Sequence, residues 1–255
     1  MSLYCEYREN PGKPELVLLH GWGMSSDVWG EFADHLAMSF SLTLIDLPGL
    51  GRSTDSPNPY TTEAVIQLLL PIVPEKASWL GWSMGGQVAI SFAASYPEKI
   101  EKLITVASNP CFVQRADWKC AMEEGTHQQF EQSLAMNIPK TLTRFAMLQT
   151  QGADLGRETL KMLKMILAGV QHQAPVESLG LLREDVRQEL SGMNMPVLQL
   201  FGEKDLLVPQ AAAAECAMLT GKPSIIYSGA GHLPFFSHMG DVLDDVTAFL
   251  AGKVA

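Results

Sequence analysis

The chain has 255 residues, 47% of them apolar, which suits one large α/β domain or a domain carrying a substantial insertion. A formal net charge of −10 argues against general nucleic-acid binding. No apolar run reaches bilayer-spanning length, so neither a membrane span nor membrane association is expected.

Met1-Ser2-Leu3-Tyr4-Cys5-Glu6 lacks the basic and apolar stretches of a signal peptide, and a cytoplasmic protein is expected. Cys5, Cys111, Cys120 and Cys216 form no CxxC pair and no metal-ligand spacing. They read as buried thiols rather than a disulfide framework. Leu16 to His20 is a continuous apolar run that ends in Gly21-Trp22-Gly23, the pattern of a strand buried on both faces. Leu42 to Asp46 repeats it and breaks at Leu47-Pro48-Gly49-Leu50-Gly51. Further strands are expected over Ser78–Trp82, Leu103–Ala107, Val197–Phe201 and Ser224–Tyr227. Helical segments lie between most of them, including Val28–Met38, Thr61–Leu70, Gly85–Ala94 and Gln210–Leu219. Such alternation predicts an α/β fold with a mainly parallel central sheet flanked by helices.

From about Ala116 to about Leu190 the rhythm changes to helical sequence rich in Met, Leu and Gln. The simplest division is a core of residues 1–112 and 191–255 with a helical cap inserted at 113–190. That cap would lie over the C-terminal ends of the strands, where open α/β sheets place ligands. Charge is unevenly shared. Residues 112–190 hold nine Lys/Arg and ten Asp/Glu, against nine and eighteen elsewhere.

Gly81-Trp82-Ser83-Met84-Gly85 places a serine between a predicted strand and a predicted helix. A sharp strand-to-helix turn needs small neighbours and lifts the hydroxyl beside a helix N-terminus. Ser83 is therefore the candidate nucleophile. A serine hydroxyl requires a general base, and the base an orienting group. His232 stands in a glycine-flanked loop after the last strand, and Asp205 in Gly202-Glu203-Lys204-Asp205 after the fifth. The chain order Ser83, Asp205, His232 is the one this scaffold requires. Glu203 competes with Asp205 from two residues away. Asp46 precedes the serine and reads as structural, His20 as a brace for its loop. His35, His127, His172 and His238 have no partner at an informative spacing. Oxyanion donors are expected from the backbone N–H groups of Met84 and Trp22. Pro48-Gly49-Leu50-Gly51-Arg52-Ser53 lacks both phosphate-loop patterns and reads as a turn. No zinc, iron or dinucleotide signature is present, so no cofactor or metal is expected.

These motifs together resemble the α/β-hydrolase superfamily over essentially the whole chain. More specific strings resemble the pimeloyl-[acyl-carrier protein] methyl ester esterase family of biotin synthesis. They are Leu18-Leu19-His20-Gly21-Trp22-Gly23-Met24, Trp79 to Gly86, Val106 to Phe112 and Arg144-Phe145-Ala146-Met147-Leu148-Gln149-Thr150. The resemblance implies hydrolysis of a carrier-bound methyl ester through an acyl-enzyme on Ser83. It further implies a substrate site lined by Trp22, Ser83, Met84, Phe145, Ala146, Met147, Leu148, Gln149 and His232. Lys140, Arg144, Arg157 and Lys161 match that family's basic carrier-protein contacts, with lysine at two positions where the family has arginine. Lysine keeps the charge but loses the forked geometry. Residues 138–164 hold five Lys/Arg against Asp154 and Glu158, and the spacings put the cations on shared helical faces. A monomer with an acyl-carrier protein as partner is expected. Two other readings remain open. One is a short-chain carboxylesterase or carbon–carbon bond hydrolase of the same fold, and the other a non-catalytic ligand-binding homologue.

Overall fold

The computed structural model describes residues 3–170 and 172–253, so Met1 and Ser2 of the stretch read for a leader lie outside it. Its strands are β1 (Cys5–Arg8), β2 (Glu15–Leu19), β3 (Ser41–Ile45), β4 (Ala77–Trp82), β5 (Ile100–Val106), β6 (Val197–Gly202) and β7 (Ile225–Tyr227). Helices α1 (Gly30–Ala37), α2 (Thr62–Leu69) and α3 (Met84–Ser95) alternate with the early strands. Then come α4 (Glu124–Met136), α5 (Ile138–Thr150), α6 (Gly156–Gly169), α7 (Pro175–Leu179) and α8 (Arg187–Ser191). The chain closes with α9 (Ala211–Thr220), α10 (Pro234–Ser237) and α11 (Met239–Leu250).

Among the described residues the strands form one sheet in the order β1-β3-β2-β4-β5-β6-β7. Every pairing is parallel except β1 with β3. The α/β class and the mainly parallel sheet are as the sequence predicts. β1 has no counterpart in the sequence reading, because a short, half-exposed edge strand carries no apolar run. The segment expected as one helix from Val28 begins as a 3-10 turn, Ser26–Trp29, and α1 starts only at Gly30.

Alternate residues of β2 explain why the inner strands read as unbroken apolar runs. Leu16 and Leu18 pack into one core with Phe32, Leu36, Val242 and Phe249. Val17 and Leu19 pack into another with Val65, Val88, Phe92 and Ala212. Side chains of a strand point to opposite faces, so a sheet covered on both sides requires both sets to be apolar.

Between β5 and β6 the described chain forms helices α4 to α8 and no strand of the sheet. Helix begins at Glu124 rather than near Ala116. Residues 111–122 fold instead through isolated bridges, Val113 with Met122 and Arg115 with Trp118. The four cysteines are free thiols, three of them buried. No helix among the described residues is long and apolar enough to cross a membrane.

Candidate active site

Ser83 sits between β4 and α3 with φ 55° and ψ −121°, outside the regions open to most residues. Such a conformation costs on the order of 1–3 kcal/mol and persists only where its surroundings enforce it. Here they do. The Ser83 N–H donates to the Val106 carbonyl at 2.9 Å, and Ser108 Oγ donates to the Ser83 carbonyl at 2.8 Å. A Cβ on Gly81 would lie 2.4 Å from the Gly85 carbonyl oxygen, and one on Gly85 2.4 Å from that of Leu19. The turn can close only with glycine at both places.

Beyond the C-terminal ends of other strands of the sheet, Asp205 follows β6 and His232 follows β7. Asp205 Oδ1 accepts the backbone N–H groups of Leu207 and Val208 at 2.8 and 3.0 Å, which fixes the carboxylate. Its Oδ2 lies 2.7 Å from His232 Nδ1. A carboxylate only accepts, so Nδ1 carries the hydrogen and Nε2 presents a lone pair. That Nε2 is buried and has no hydrogen-bond partner. No hydrogen bond joins it to Ser83 Oγ among the described residues. Catalytic hydrogen bonds are often long before substrate arrives. Trp82, the residue before Ser83, donates from Nε1 to the His232 carbonyl at 2.8 Å, and its ring lies 5.4 Å from the imidazole. The candidate base is thereby tied to the residue beside the elbow.

The competing carboxylates are occupied elsewhere. Glu203 accepts the Gly229 N–H at 2.9 Å and the Ser228 hydroxyl at 3.1 Å, which holds its pKa below the usual range and pins the loop leading to His232. Asp46 is fully buried and receives Ser26 N, Ser26 Oγ, Arg52 N and Arg52 Nε at 2.6–2.9 Å. Burial alone would raise its pKa, but the bonds from Arg52 and Ser26 and the nearby His20 bring it below the normal value. His20 spends both nitrogens on backbone. Nε2 accepts the Leu47 N–H at 2.9 Å and Nδ1 donates to the Gly21 carbonyl at 2.7 Å. Burial pushes its pKa down.

The backbone N–H groups of Trp22 and Met84 enter none of the turn and loop hydrogen bonds of the described residues. The Trp22 side chain is anchored from α7, donating from Nε1 to the Pro175 carbonyl at 3.0 Å. Its ring packs edge-on against Phe130 and Phe145, with centroids 5.4 and 5.1 Å away. These two phenylalanines also line a chamber of about 290 Å³ with Leu148, Leu179, Leu182 and Leu207. Among its other borders is exposed Arg144.

The five residues Phe145 to Gln149 do not share one surface, because each helical step rotates the side chain by about 100°. Phe145 and Leu148 face the chamber. Gln149 is buried, and its carbonyl accepts the His232 N–H at 3.1 Å. Ala146 instead packs with Leu163 and Ile166 of α6, and Met147 is 52% exposed. Ala146 and Met147 thus turn away from the chamber that Phe145 and Leu148 line. The carbonyl contact of Gln149, the Trp82–His232 bond and the Pro175 anchor carry no motif and were not read from sequence.

Lys140, Arg144, Arg157 and Lys161 are all exposed on α5 and α6. None forms an ion pair among the described residues. Other arginines of the insertion are tied down: Arg183 holds Glu124 and Glu131, and Arg187 holds Asp117 and Asp185.

The profile of the alpha/beta hydrolase fold family matches residues 14–239. The chain is 40% identical over 257 residues to a pimeloyl-[acyl-carrier protein] methyl ester esterase of Pectobacterium atrosepticum, covering 97% of this chain and 98% of that one. It is 41% identical to a protein of the same name from Edwardsiella ictaluri, over 89% of each chain. Among solved structures, an esterase from Exiguobacterium antarcticum superposes with a TM-score of 0.86 at 19% identity, covering 98% of this chain and 95% of that one, a likeness of fold alone.

Proposed function

The chain belongs to the alpha/beta hydrolase fold family, and from that premise we propose that it hydrolyses the methyl ester of pimeloyl-[acyl-carrier protein] in biotin synthesis. The observation that carries the reaction type is the buried Asp205–His232 pair. It leaves one uncommitted imidazole nitrogen, and Trp82 ties it to the serine elbow. Ser83 Oγ attacks the ester carbonyl while His232 Nε2 takes its proton. The tetrahedral oxyanion is held by the N–H groups of Trp22 and Met84, which enter no turn or loop hydrogen bond among the described residues. Collapse expels methoxide, protonated by His232 to methanol, and leaves an acyl-enzyme on Ser83. A water that yields its proton to His232 then attacks the acyl carbon, releasing the free carboxylate and restoring the serine. Asp205 keeps Nδ1 protonated and stabilises the imidazolium in both halves.

Residues 113–190 act as the cap in this reading. The chamber lined by Phe130, Phe145 and Leu148 takes the methylene chain. The unpaired cations Lys140, Arg144, Arg157 and Lys161 receive the acidic carrier protein. Relatives named for this substrate, 40% identical over nearly the whole chain, support the assignment. The decisive experiment compares kcat/KM for pimeloyl-carrier methyl ester with that for a short-chain methyl ester. The carrier-bound ester is expected to be strongly preferred. Equal values would overturn the substrate while leaving the esterase.

A further inference from the structure

His127 lies on the buried face of α4 and lines the chamber, yet neither ring nitrogen makes a hydrogen bond to the protein. It is 2% exposed. A buried polar group without a partner is uncommon and calls for an explanation. Its nearest charged neighbour is Glu131, one helical turn on, with Oε1 3.5 Å from Nδ1. Glu131 is itself gripped by Arg183, whose Nε and Nη2 each donate at 2.8 Å. A carboxylate so held is an acceptor only. It favours the tautomer with hydrogen on Nδ1 and leaves the Nε2 lone pair free. Burial is the main influence on the imidazole and lowers its pKa, so the ring is neutral near pH 7.

We infer that His127 is a specificity-determining hydrogen-bond acceptor for an amide N–H of the arm on which the substrate is carried. The inference rests on the carrier-ester reading above. The rest of the lining supports that occupant. The chamber's lining includes Arg144 on the exposed cationic face and Phe130 and Phe145, which pack on Trp22. An ester or thioester group carries no hydrogen to donate, whereas the pantetheine arm of an acyl-carrier protein carries amide N–H groups. A neutral imidazole acceptor in this chamber therefore distinguishes arm-bound esters from free ones. A site built to pair a donor discriminates against analogues that lack it, since their binding leaves the acceptor buried and unmet.

The test uses the full-length enzyme and two thioesters of monomethyl pimelate, one with pantetheine and one with propanethiol. His127→Phe is expected to lower kcat/KM for the pantetheine thioester about tenfold more than for the propyl thioester, mostly through KM. His127→Gln, which keeps an acceptor, is expected to restore most of the difference. Equal losses on the two thioesters, or no loss on either, would overturn the inference and leave His127 as a packing residue. A second readout needs no turnover. In Ser83→Ala, titration with pantetheine should move the ¹⁵N resonance of His127 Nε2, and an unmoved resonance would count against the contact. If neither ester is hydrolysed by the wild type while the resonance moves, the esterase reading fails and the amide site stands.

Discussion

The sheet holds two buried aspartate–histidine sets at the C-terminal ends of its strands, and they differ in what they leave over. Asp46 and His20 follow β3 and β2; Asp205 and His232 follow β6 and β7. Asp46 is saturated by Ser26 and Arg52, and both nitrogens of His20 are committed to backbone groups. Asp205 is held by two backbone N–H groups and passes its second oxygen to His232, whose Nε2 remains uncommitted. Residue type and position at a strand end are the same in both. What separates a brace from a proton-transfer group is the unspent hydrogen-bonding capacity of the last atom in the chain of contacts.

The strongest challenge to that contrast is Ser83→Ala. It should lower ester turnover by roughly a millionfold while leaving the melting temperature near wild type, measured by stopped assay and calorimetry. Turnover near wild type would remove the mechanism. Asp205→Asn should reduce kcat about ten-thousandfold by admitting the wrong imidazole tautomer, again with little change in stability. Asp46→Ala should do the reverse. It should cost about 3 kcal/mol in a denaturant titration, because Arg52 and the Ser26 N–H lose their acceptor, while kcat of the folded fraction is retained. If Asp46→Ala lost turnover and kept its stability, the two sets would have to be exchanged.

The same logic divides the cations of the insertion. Reversing charge at Arg144 and Arg157 together should lower kcat/KM for the carrier-bound ester about tenfold or more at low salt, with little effect on a short-chain ester. Arg183→Ala removes two partly exposed ion pairs, with Glu124 and Glu131, and should instead cost about 1 kcal/mol of stability. A last effect, seen only as the pH is lowered, concerns His172, whose Nδ1 accepts the Gly51 N–H at 3.0 Å. Burial is the largest influence lowering its pKa, to about 4. The unfolded side chain titrates near 6.5. Between those values the unfolded chain binds a proton that the folded chain does not, so acidification favours unfolding. This contribution is complete above about pH 6.5 and is lost as the pH falls toward 4. His172→Gln should flatten that part of a melting-temperature profile.

The inner strands were legible because burial on both faces demands uninterrupted apolar residues, and β1 was not because an edge strand makes no such demand. The elbow was legible from its glycines, whose spacing reflects backbone packed so closely that an added Cβ would lie 2.4 Å from a carbonyl oxygen. On sequence alone Glu203 competed with Asp205 from two residues away. Contact with Gly229 and Ser228 now gives Glu203 its own task. On α5, the string Phe145 to Gln149 read as one lining, and helical rotation distributed it among chamber, the loop of His232, helix packing and solvent.

What the sequence determined by itself was the α/β class, the order of strand and helix, and the residue types at the strand ends. Each of these is imposed by local periodicity, turn chemistry or burial along the chain. The tertiary structure decided which groups remain unspent, among them the Nε2 of His232, the two N–H groups at Trp22 and Met84, the imidazole of His127 and the exposed cations of α5 and α6. Hydrogen-bond saturation is a property of neighbours far apart in sequence, as in the bond from Trp82 to His232 across 150 positions. It becomes visible only when the chain is folded.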